Sequence, residues 1–75
     1  IYSGDVLVVD RSLEVRDGRI VVAAVHGELV VKRAQIGQGR LTLHSENDNY
    51  EPITVSESDD CFVWGTVVGS VRTFA

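Results

Sequence analysis

The sequence predicts an all-β domain, built as a curled antiparallel sheet or a small, partly open barrel. Three observations carry that expectation. Valine supplies 14 of the 75 residues, with four isoleucines and four threonines beside it. Such β-branched side chains are stiff in a helix and pack well on a pleated sheet. No stretch repeats apolar residues at i, i+3, i+4 and i+7 between capping residues. Short apolar runs instead alternate at close intervals with glycine, asparagine and aspartate, the pattern of strands joined by turns.

The first strand is expected over Asp5 to Asp10, opened by Ser3-Gly4. A polar stretch, Arg11 to Asp17, closes at Asp17-Gly18, a pair that favours a tight turn because both residues tolerate positive φ. Arg19 to Val25 is the next strand. His26-Gly27 separates it by two residues from Glu28 to Ile36, which reads as a hairpin. Gly37-Gln38-Gly39 reverses the chain into Arg40 to His44. A polar loop, Ser45 to Glu51, leads through Pro52 into a short strand, Ile53 to Val55. Ser56 to Asp60 is a charged turn. The last strand, Phe62 to Arg72, holds Gly65 and Gly69 in its interior, where glycine marks a bulge or a bend.

Size and charge narrow the function. One domain of 75 residues with 44% hydrophobic content has material for a core, but is small enough to need outside support. A single cysteine, Cys61, cannot supply an internal disulfide, so a partner subunit or further chain is expected. The net charge of −4 lacks the basic surface that phosphate backbone requires, so no direct nucleic-acid contact is expected from this segment. The longest apolar run, Ile20 to Val25, has six residues and is far too short for a membrane span. With no signal-peptide pattern and a lone cysteine, a reducing, cytoplasmic setting is expected. The chain opens at Ile1 rather than Met, the mark expected of a processed or trimmed product.

Lys32 is the most informative residue. Alternate residues of a strand share a face, so Val30, Lys32, Ala34 and Ile36 line one side and Arg33 and Gln35 the other. A lysine on an apolar row is poorly solvated, which favours its neutral form, and a neutral amine can act as a general base. The alternative role is a lysine at a sheet edge, with its stem packed and its amine in water. His26 and His44 carry no surrounding motif, and a Ser-His-Asp triad is a matter of geometry. Cys61, His26 and His44 have no zinc spacing, and Ser45 to Asn49 lacks the alternation and central glycine of a calcium loop, so it reads as a solvated turn. No metal and no cofactor is expected. Phe62 and Trp64 share a strand face, as core residues or as a subunit contact.

Four segments carry a family resemblance. They are Gly4-Asp5-Val6-Leu7-Val8-Val9-Asp10, then Arg19-Ile20-Val21-Val22-Ala23-Ala24-Val25-His26-Gly27-Glu28-Leu29-Val30-Val31-Lys32-Arg33, then Leu43-His44-Ser45-Glu46-Asn47 with Tyr50-Glu51-Pro52-Ile53, and finally Val63-Trp64-Gly65-Thr66-Val67-Val68. In that order they resemble the C-terminal domain of the LexA/UmuD family of self-cleaving serine-lysine proteins. The family's pattern is Gly-Asp-hydrophobic, "(I/V)-V-(I/V)-A", "V-K-(R/K)", "P-E-N…(F/Y)-x-P-I" and "(hydrophobic)-x-G-x-V". His44-Ser45 departs from it where the proline stands. The wording "A-A-V-x-G-E" and "Y-x-P-I-T" is nearer to UmuD and its MucA relatives than to LexA.

The resemblance implies a LexA- and signal-peptidase-like fold, a serine-lysine self-peptidase, and Lys32 as its general base. The family's nucleophile lies in a "(G/S)-x-S-M" motif before the Gly-Asp strand, and its cleavage site is Cys-Gly or Ala-Gly. This chain holds neither motif nor either dipeptide. Residues 1–75 are therefore expected to be a single C-terminal domain without its nucleophile, inactive alone. The implied partners are a second copy, the RecA filament and, in the UmuD branch, an error-prone polymerase subunit for synthesis past DNA lesions. The implied function is that of an SOS mutagenesis accessory; the alternative is a LexA- or phage-type self-cleaving repressor.

Overall fold

Six strands form: β1 (Val6–Asp10), β2 (Ile20–Val25), β3 (Glu28–Gly37), β4 (Arg40–His44), β5 (Ile53–Val55) and β6 (Cys61–Val71). The computed structural model describes residues 4–46, 49–55 and 60–72. All six expected strands are present, with ends displaced by a single residue at several termini. They make one antiparallel sheet in the order β1-β6-β2-β3-β4-β5. Its edges are β1 and β5, so the sheet is open and not closed into a barrel. No helix among the described residues is long and apolar enough to cross a membrane.

Two hairpins set the register of the sheet's centre. His26 and Gly27 have φ of 49° and 84°, the left-handed pair that matches strand twist in a two-residue loop. Val25 therefore faces Glu28, and Val21 faces Lys32. Gln38 and Gly39 have φ of 53° and 73° and make the second such loop. Gly37 pairs with Arg40 and belongs to the strand, so the reversal uses two residues rather than the expected three.

Asp17-Gly18 makes its expected tight turn, with the Arg19 amide donating to the Arg16 carbonyl at 3.3 Å. Only Gly18 of the pair has positive φ, and β1 and β2 are not neighbours, because β6 lies between them. The segment fastens to β3 instead. The Gly18 amide donates to the Ala34 carbonyl at 2.8 Å, and the Ala34 amide donates to the Arg19 carbonyl at 2.8 Å. The Asp17 carboxylate accepts the Ile36 amide at 2.8 Å.

The interior glycines of β6 do mark bulges. Against β2 the ladder slips between Val22 and Ala23, which face Gly65 and Val63, leaving Trp64 as the extra residue. Against β1 it slips between Val8 and Val9, which face Gly69 and Val67, leaving Val68 over. Gly65 is also needed sterically, because a Cβ there would run into Val9 Cγ1. Trp64 is half-buried, and the Arg11 guanidinium lies over its ring at 4.2 Å.

The core lies on one face. Val21, Ala23, Ala34, Leu43 and Cys61 form it, and Val15 reaches it from the loop between β1 and β2. β2 is buried on both faces, with Val22 and Ala24 turned away from the main cluster. On that second face Phe62 and Leu29 flank Ala24 as its ladder partners, and they are 53% and 62% exposed. Phe62 is thus not a core residue; of its two expected roles, core or subunit contact, the core role is corrected, since its rung with Ala24 lies on the open face.

Candidate active site

Lys32 sits at the middle of β3, half-buried, and its Cα partner on β2 is Val21, which is fully buried. The register extends this rung to Thr66 on β6 and Asp10 on β1. Partners across an antiparallel ladder share a face, so Lys32 lies on the core side of the sheet. Ala34 beside it is buried and Val30 half-buried, as the alternation requires, whereas Ile36 emerges at the sheet's end. Lys32 is the sole lysine of the chain; its six other cationic residues are arginines.

The amine does not stand alone. Lys32 Nζ donates to Ser45 Oγ at 2.5 Å, and it lies 5.6 Å from the centre of the Tyr50 ring, inside cation–π range. The register explains the first contact. Arg33 pairs with His44, and one step further along both strands brings residue 32 opposite residue 45. Ser45 is half-buried. It is not part of a solvated turn, and that expectation is corrected for this residue. Asn47 and Asp48 of the same loop lie outside the described residues. Glu46 does face solvent, where it pairs with Arg33 at 2.7 Å.

The remaining candidates disperse. His26 is exposed in its turn and its amide donates to the Asp60 carbonyl at 2.8 Å. His44 pairs with Arg33 and so lies on the face opposite Lys32. Cys61 is buried in the core, opposite Val25. No three His, Cys, Asp or Glu side chains among the described residues converge to hold a metal.

Two polar groups on the Lys32 rung went unnoticed in the sequence. Thr66 is 4% exposed, and its hydroxyl has no hydrogen-bond partner among the described residues. Asp10 accepts the Ser12 hydroxyl at 2.6 Å and the Ser12 amide at 2.8 Å. The side-chain bond, followed by the amide bond, holds its carboxyl below the ordinary range.

The chain matches the Peptidase S24-like family model over residues 1–68. It belongs to the Peptidase S24-like family. Curated relatives agree. The LexA repressor of Bordetella parapertussis is 45% identical over 73 residues, covering 97% of this chain and 34% of that protein. The LexA repressor of Bordetella petrii is 44% identical over 75 residues, 100% of this chain and 34% of that protein. The LexA repressor of Dechloromonas aromatica is 41% identical over 73 residues, 96% of this chain and 36% of that protein. The chain thus spans about a third of the length of these relatives. The family expected from the four segments is borne out, and the match runs from the first residue into β6.

Proposed function

We propose that this chain is the lysine-bearing C-terminal part of a self-cleaving transcriptional repressor of the LexA type. The reading is carried by the chain's one lysine, held on the core face with its amine against a hydroxyl. Family membership and relatives named LexA repressor support it. Lys32 is the general base, and the nucleophilic serine lies upstream of Ile1, where the family's order puts it. The neutral amine takes the serine proton while the serine oxygen attacks a carbonyl carbon in the protein's own N-terminal segment. The C–N bond breaks, and the proton passes to the leaving amine. A RecA filament stimulates the reaction, a second copy completes the dimer, and DNA contact falls to the upstream region, in keeping with the acidic charge here. The setting is cytoplasmic.

The mutagenesis-accessory reading, with an error-prone polymerase subunit as partner, rests on the "A-A-V-x-G-E" and "Y-x-P-I-T" wording. The LexA names of the relatives weigh for the repressor over it. A helix-turn-helix in the upstream region fits the repressor; a short upstream tail without one fits the accessory. The test of the chemistry is full-length protein carrying Lys32→Ala, which should not self-cleave at alkaline pH. Cleavage at the unmodified rate would sink the assignment. The 75-residue chain alone should resist labelling by a serine-directed phosphonate.

A further inference from the structure

We propose that Ser45 is a positioning residue for Lys32, fixing the amine in the orientation that proton transfer needs. The proposal rests on Lys32 being the general base. Lysine carries its amine on a flexible four-carbon stem, so an untethered amine is in line with a nucleophile for only part of the time, and misplacement slows the reaction. Here the tether is a hydroxyl. Lys32 Nζ donates to Ser45 Oγ at 2.5 Å in a part-buried setting. A neutral amine has two N–H groups and one lone pair. Giving one N–H to Ser45 fixes the direction of the nitrogen and leaves the lone pair available for the proton of another hydroxyl. Tyr50, near the other end of the same loop, puts its ring 5.6 Å from the nitrogen.

The position of Ser45 is dictated by the fold. The two-residue turn at Gln38-Gly39 sets the β3–β4 register, and that register brings residue 45 opposite residue 32. A side chain there must point to the core face, with Leu43. Ser45 is not itself the nucleophile in this scheme: its oxygen receives a hydrogen bond from the amine and gives up no proton to it.

The test uses full-length protein and follows self-cleavage across an alkaline pH series, alongside the thermal midpoint of each variant. Ser45→Ala should keep the midpoint and lower the plateau rate about ten-fold, the scale of one lost hydrogen bond. Ser45→Thr, which restores a hydroxyl, should return most of that rate, and Lys32→Ala should abolish it. If Ser45→Ala cleaves at the unmodified rate while Lys32→Ala is inactive, the tether is refuted and the base stands. If Lys32→Ala cleaves normally, the base reading fails and the tether with it. Covalent labelling of Ser45 by a serine-directed phosphonate overturns the positioning role in favour of a nucleophilic one.

Discussion

Lys32 faces Val21 across the β2–β3 ladder, and the turn at His26-Gly27 is what puts it there. A slip of one residue at that turn would carry Lys32 to the opposite face, because side chains alternate along a strand. The turn holds a non-glycine residue, His26, at φ 49°.

That conformation is costly for most side chains and mild for asparagine. His26→Asn should therefore raise stability by about 0.5 kcal/mol, while His26→Val should lower it by about 1 kcal/mol. Chemical denaturation of the two variants measures both signs. Equal effects in the same direction would show that the turn does not limit stability.

A Cβ on Gly65, beside the β6 bulge against β2, would run into Val9 of β1. Gly65→Ala should destabilise by about 1–3 kcal/mol through overcrowding. Trimming the neighbour with Val9→Ala should recover part of that loss, and a double-mutant cycle reads the coupling directly. Additive losses would place the cost of Gly65→Ala elsewhere.

Thr66 spends its hydroxyl in the interior without a partner among the described residues. Thr66→Val keeps the shape and removes the stranded group, so it should raise stability by about 1 kcal/mol. A drop in thermal midpoint of similar size would mean that the hydroxyl is satisfied in solution.

Asp10 titrates below its ordinary 3.8, chiefly through the Ser12 side-chain bond and then the Ser12 amide bond. A carboxyl whose folded pKa is depressed adds stability above its unfolded pKa, and that stability fades as pH falls through the folded value. Ser12→Ala should therefore move the Asp10 midpoint upward in an NMR titration and flatten the acid limb of the stability curve below about pH 4. An unmoved midpoint would remove Ser12 as the cause.

Strand positions were readable in advance because β-branched residues, turn glycines and alternation act locally. Val21 to Ala24 and Glu28 to Ile36 needed only their own composition and the His26-Gly27 signal between them. The face of Lys32 was readable for the same reason. Ser45 was obscured by the second turn. Taking Gly37-Gln38-Gly39 as the reversal left the β3–β4 register open, whereas the two-residue loop at Gln38-Gly39 pairs Arg33 with His44 and so brings Ser45 to the lysine.

Local patterning therefore settled the fold class, the strands, the hairpin beneath Lys32 and the apolar row on which that residue stands. Assembly settled the rest. The last strand lies between the first two in sequence, and a strand's own residues do not say which distant strand will complete its hydrogen bonds. That pairing buries Thr66 on the Lys32 rung, makes Gly65 indispensable beside Val9 and leaves Phe62 on the open face. Each depends on contacts between residues far apart in the chain, which compete through packing and register rather than through local preference.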